Sequence, residues 1–227
     1  GLAFPALAQG VVISEIMYHP TSGTPEEQWL ELYNPSAGEV DLSSWSFDKG
    51  ITYTFPKGTR IPGGGYLVVA ADSEVFSALH PEVKNMVGGW TGKLSFSGET
   101  VRLVDRDGAV VAKVSYTSEG DWAERRLVYD EMYNRYGWKW YAAHDGEGKS
   151  LELVNPSLPL NIGQNWQSSL TDGGTPGAEN SHFTEAEQLI PLISAVTHAP
   201  AVPDAGETVT LQARVDALPG CAVRVWG

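Results

Sequence analysis

The chain has 227 residues, 42% of them hydrophobic, with 8 Trp and 9 Tyr; that is apolar material enough for a packed core and excludes disorder as the governing description. A net charge of −13, from 28 acidic against 15 basic residues, argues against a nucleic-acid binder, which needs a basic patch to neutralise phosphates, and the densest basic pair, Arg125-Arg126, sits among Asp121, Glu124, Asp130 and Glu131. The single cysteine, Cys221, excludes an internal disulfide, and no run of about 18 apolar residues is present to cross a membrane as a helix.

Residues 1–10, GLAFPALAQG, read as a signal-peptide remnant, with Ala6-Leu7-Ala8 as the small-x-small cleavage site, or as an apolar leader. Val11 to Met17 is a β-branched, apolar strand run, and Tyr18 to Gln28 a polar loop with Pro20, Gly23 and Pro25. Trp29 to Asn34 alternates, placing Trp29, Glu31 and Tyr33 on one face and Leu30 and Leu32 on the other. Asn34-Pro35-Ser36 stops that strand, because proline cannot keep feeding the hydrogen-bond ladder. Val40 and Leu42 share a face, Trp45 and Phe47 follow, and Ile51 to Phe55 forms a short strand. Pro62 to Gly65 is a connector turn with no lysine, hydroxyl or helix after it to make a phosphate loop. Tyr66 to Ala70 has the continuous apolar run of a strand buried on both faces. Asp72 to Leu79 is the best helix, capped by Asp72, with Val75, Phe76 and Leu79 on one side and Pro81 ending it. Leu94 to Tyr116 is a strand pair turning at Asp105-Arg106-Asp107-Gly108, which has the opening of a calcium loop without its remaining ligands and reads as a hairpin turn.

Asp121 to His144 departs from strand patterning. Its first part has helical spacing, with Leu127, Glu131 and Met132 near one another until Gly137 breaks it, and it is dense in rings. Trp122, Tyr133, Tyr136, Trp138 and Trp140 are the candidate ligand-binding residues, since exposed Trp and Tyr stack on sugar rings and anchor interfaces; the alternative is that the rings fold back and cover an open end of a sandwich. His144 to Lys149 is the nearest approach to a chemical cluster, with a histidine and carboxylates able in principle to hold a metal or move a proton. The alternating run Ser150 to Val154 and the turn Asp172 to Gly177 follow. A linker over 181–189 precedes a restart of strand pattern over 190–227, with Val209, Leu211, Ala213 and Val215 on one face and a further strand over Ala222 to Trp226; it resembles the first strands of an immunoglobulin-like or fibronectin-like module, of which about 38 residues are too few to be whole.

The pieces ISEI, WLELYNP and VDLSSWSF, followed by FPKGTRIPGGGYLVVA, LSFSGETVRLVDRDGAVVAKVSY, GKSLELVNP and GGTPGAEN, together resemble a bacterial version of the lamin tail domain family across 11–180. The resemblance implies an immunoglobulin-like sandwich, a structural and binding module with no catalytic residue, and the residue pattern adds one short helix and an aromatic-rich insertion to an all-β fold. From the alternation, Leu30, Leu32, Val40, Leu42, Leu67, Val69, Val101, Leu103, Leu151 and Leu153 are the expected core. The expected function is a non-catalytic binding module of a secreted or cell-surface protein of several domains, with a protein or glycan partner and no cofactor. Two alternatives stand beside it: a hydrolase working through Glu15 and Glu31, strand carboxylates that otherwise simply face water, and a module stabilised by calcium at its acidic turns.

Overall fold

The structure, a computed structural model, describes residues 10–184 and 192–216. The leader apart from Gly10, most of the 181–189 linker, Cys221 and the strand expected over Ala222 to Trp226 lie outside the described residues. In chain order the strands are β1 (Val12–Met17), β2 (Trp29–Tyr33), β3 (Val40–Asp41), β4 (Ser46–Lys49), β5 (Tyr53–Thr54), β6 (Arg60–Ile61), β7 (Tyr66–Ala70), β8 (Met86–Gly88), β9 (Glu99–Val104), β10 (Val110–Tyr116), β11 (Glu124–Asp130), β12 (Arg135–Tyr141), β13 (Leu151–Leu153), β14 (Trp166–Ser168), β15 (Leu192–Ala199) and β16 (Thr210–Asp216). The α-helix α1 (Ser73–Leu79) follows β7.

A six-stranded sheet, ordered β14-β13-β1-β2-β7-β8, faces a four-stranded sheet, ordered β10-β9-β4-β5. The core lies between them and holds Ile13, Ile16, Leu30, Leu32, Leu67, Val69, Leu151 and Leu153 from the first sheet and Phe47, Val101, Leu103 and Val114 from the second. All the expected core residues are buried except Val40, which is half-buried on the short β3 and packs at the edge of the cluster. A bulge at Ser14 sets the register of β1. It keeps Ile13 and Ile16 on the inner face although they are three apart, and turns Ser14 and Glu15 outward together.

The outer face of the six-stranded sheet is covered too. Asp72 caps α1, its Oδ1 accepting from the amides of Glu74 and Val75, and α1 lays Phe76 over Met17, Trp29, Val68 and Ala70. Leu79, expected on the buried side of this helix, is exposed, because the positions turned to the sheet are Phe76 and His80, whose rings both lie against Trp29. The rest of the outer face is crossed by a strap over residues 171–181 that has no regular structure. Its Asn180 donates to the carbonyls of Ser14 and Leu153.

Candidate functional site

The segment after Trp122 is a β-hairpin rather than the helix its first residues suggested. β11 and β12 pair antiparallel over their full length, with Leu127 opposite Trp138, Tyr129 opposite Tyr136 and Gly137 inside the ladder opposite Val128. Local turn chemistry decides the matter. Asp130 Oδ1 accepts from the amides of Met132 and Tyr133, and Asn134 adopts a left-handed φ of 48°, a conformation asparagine tolerates. An Asp at the start of a turn and an Asn at its end, between alternating runs, was the available signal; the helical spacing of three residues masked it.

Side chains directly opposite in such a ladder share a face. Leu127, Tyr129, Tyr136 and Trp138 therefore stand together, and Trp140 extends the same face by the period of two. Tyr136, Trp138 and Trp140 are 69%, 59% and 50% exposed. The opposite face is polar: Arg126 pairs with Glu124 at 2.6 Å and lies over the Tyr141 ring at 3.7 Å. Tyr133 sits in the turn, exposed, with the Arg135 guanidinium 5.5 Å from its ring. So four of the five candidate residues lie on the projecting hairpin. The fifth does not: Trp122 is half-buried, packs against the core residue Trp166 with ring centroids 5.9 Å apart, and belongs to the hairpin's foundation. The reading of the segment as buried cover holds for Trp122 alone.

His144 anchors that foundation. It is buried between Tyr18 Oη, 2.8 Å from Nδ1, and the Trp122 carbonyl, 2.8 Å from Nε2. A carbonyl only accepts, so Nε2 carries the proton and Nδ1 accepts from the tyrosine. Burial holds this imidazole below its ordinary pKa and hence neutral. It is a satisfied structural histidine. Its neighbour Asp145 is paired elsewhere, with His19.

Glu15 and Glu31 do converge, and they do not face water. They are Cα partners across β1 and β2, and Glu152 partners Glu15 from β13, so three carboxyls form one row across three strands. Each is fully buried under the strap. Glu15 Oε1 accepts from Ser150 Oγ and from the Thr175 amide at 2.8 Å; Glu31 accepts from Ser14 Oγ at 2.9 Å and from the Gly177 amide at 2.6 Å; Glu152 Oε1 accepts from Ser181 Oγ at 2.9 Å. Thr175 Oγ1 lies 3.0 Å from both Glu15 and Glu152. One hydroxyl hydrogen cannot serve two carboxylates, so one of the two contacts needs a proton on the carboxyl. Burial, reinforced by the Glu152 charge, pushes Glu15 up to about 8, and burial beside Glu15 raises Glu31 well above the carboxylate range. The carboxyls a hydrolase would need are therefore sealed from substrate and largely spent on holding the strap. Sequence reasoning missed Glu152 and the strap. The signal for the glutamate was there: Leu30-Glu31-Leu32 and Leu151-Glu152-Leu153 each put a glutamate opposite two core leucines.

At the D-x-D-G turn, Asp105 Oδ1 accepts from the amides of Asp107 and Ala109, so that carboxylate serves the hairpin turn between β9 and β10.

A family model described as Lamin Tail Domain matches residues 5–118, about half of the chain. No curated protein matches. The matched stretch ends after β10, short of the hairpin and of β13, although β13 completes the six-stranded sheet beside β1.

Proposed function

The chain belongs to the lamin tail domain family, a β-sandwich family of non-catalytic, binding kind, and from that premise we propose that the β11–β12 hairpin is its ligand surface and a neutral glycan its ligand. The observation that carries this reading is the exposure of Tyr136, Trp138 and Trp140 on one face of a hairpin whose other face is charged. A row of rings standing off a rigid sandwich offers large contact area at low entropic cost, and flat rings stack on the apolar faces of sugars. Asp121, Glu124, Asp130 and Glu131 balance Arg125, Arg126, Arg135 and Lys139 along this segment, which suits a neutral ligand. The module serves a secreted or cell-surface bacterial protein of several domains, in adhesion, surface assembly or substrate binding; the Ala6-Leu7-Ala8 pattern and the strand pattern resuming after residue 190 support that setting.

The test is retention of the chain on an array of neutral cell-wall and cell-surface glycans, with Trp138→Ala and Trp140→Ala beside the parent. Binding that both substitutions abolish supports the reading. Retention that neither variant changes, or retention only by extended peptides, would replace the glycan with another partner.

A further inference from the structure

A second concave surface lies close to the hairpin's foundation, a groove of about 470 Å³ walled by His19, Lys93, Ser95, Phe96, Ser118 and Asp145 among others. That volume is within the range of small-molecule sites and suits one or two sugar rings. Its organising group is His19. Nδ1 lies 2.6 Å from Asp145 Oδ1, which fixes the ring's orientation and makes Nδ1 the donor. Phe96 stacks on one side of the imidazole, 4.0 Å between centroids and within 3° of parallel. The backbone of Gly146 closes the other side: a Cβ there would stand 3.2 Å from the ring, a tight contact, and a φ of +82° favours glycine. The Gly146 amide also donates to the His19 carbonyl at 3.2 Å. The imidazole is thus held in plane, in position and in tautomer, as a binding group must be to meet a ligand without reorganising.

Among the described residues, nothing engages His19 Nε2 or the Lys93 ammonium. The groove therefore presents an oriented ring nitrogen, an ammonium, the second oxygen of Asp145 and the hydroxyls of Ser95 and Ser97, which lie 3.2 Å from each other, while the Ser118 hydroxyl is shared with Tyr18. Donors and acceptors are mixed. A phosphate would meet the Asp145 carboxylate in the wall and a chain carrying −13 overall. A metal ion would find no group of three His, Cys, Asp or Glu side chains placed to hold it among the described residues. An apolar ligand would strand the polar wall. Vicinal hydroxyls, each donor and acceptor at once, satisfy such a wall, and the part-exposed ring of Phe96 suits the C–H face of a pyranose. We propose that this groove is a binding site for a neutral saccharide of one or two rings, separate from the hairpin and read by His19, Asp145 and Lys93.

The experiment follows the His19 ring protons by NMR while the chain is titrated with glucose, galactose, mannose, N-acetylglucosamine and their β1,4-linked disaccharides. At least one sugar should shift His19 saturably and leave exposed His198 unmoved. Lys93→Ala, a surface change, and Asp145→Asn should each weaken that binding about tenfold or more, the usual cost of one lost charged hydrogen bond. Lys93→Ala should keep the parent's melting temperature, so its loss of binding cannot be blamed on unfolding. Trp138→Ala should leave the His19 response intact, which separates this site from the hairpin. Silence of His19 toward every sugar overturns the proposal. So does a response to acetate or phosphate in the absence of any response to sugars, which would make the groove an anion site.

Discussion

Three carboxyls buried side by side give this sandwich an unusual dependence on pH. Glu15 is raised to about 8 and Glu31 is raised with it, so the folded chain binds protons that the unfolded chain has released above the ordinary carboxylate range. Stability from these groups is complete at low pH and is lost as pH rises through about 8. His80 and His144, held neutral by burial, act in the opposite sense, but their contribution is complete once pH passes about 6.5. Carboxylates with lowered pKa, such as Asp48 beside Arg102, matter only in acid. The window between roughly pH 7 and 9 thus belongs to the glutamates, and the urea midpoint should fall across it by an amount corresponding to ~1–3 kcal/mol. Glutamine at position 15 mimics the protonated acid: Glu15→Gln should flatten that fall and leave the variant more stable than the parent near pH 9. A parent midpoint that stays level from pH 7 to 9 would contradict the buried row. Gly174 is the row's most exacting neighbour. Its φ is +79°, and a Cβ would stand 2.3 Å from Glu15 Oε1 and 2.7 Å from Ser150 Oγ. Gly174→Ala should cost about 2–4 kcal/mol in denaturant unfolding, combining overpacking with a left-handed backbone.

The segment from Asp121 to His144 divides its aromatic residues between two tasks, and thermal melting distinguishes them. Trp122 packs on Trp166 and its carbonyl accepts from His144, so Trp122→Ala opens a cavity at the sandwich's edge and should lower the melting temperature by several degrees. Trp138→Ala removes a ring that is 59% exposed and should shift melting by little while glycan retention is lost. If the two variants melt alike, the division is wrong. The same element shows where sequence patterning stopped. Alternation found β2 and β9 because one face of each is core, and an unbroken apolar run found β7, which is buried on both faces. In β11 neither face meets the core, so alternation there carries no burial contrast, and a chance i, i+4 spacing outweighed it. The β15–β16 hairpin is likewise set apart. It meets the sandwich through Gln164, whose side chain exchanges hydrogen bonds with the Ile193 backbone, while Val196, Val209 and Leu211 remain exposed. Its amides should exchange with solvent far faster than those of β2, since a two-stranded ribbon holds little on its own. Equal protection in the two would refute this.

For the molecule as a whole, the inner core was readable from local pattern and the outer face was not. The leucines and valines of the core announce themselves by a period of two, whatever they pack against. The glutamate row was half legible: residues 15, 31 and 152 each stand opposite core residues, yet their alignment depends on registers between strands far apart in sequence, and their burial depends on a strap without any periodicity. The pairing of His19 with Asp145 escaped for the same reason, being made only by tertiary geometry. The strap has a mechanical consequence. A chain under tension delivers force to β1 at one end and to residues near Thr184 at the other. These two places are bonded directly, through Asn180 to the Ser14 carbonyl and through Thr175 to Glu15. The load therefore runs through the strap's own bonds, the Thr184 amide to the Val154 carbonyl included, before it reaches the strand pairings of the sheets. Pulled in an optical trap, the module should yield first by peeling the strap, paying out residues 171–184, roughly 45–50 Å of chain, before the sandwich opens. That first rupture should come at lower force above pH 8, when the carboxyls beneath the strap share too few protons to hold it.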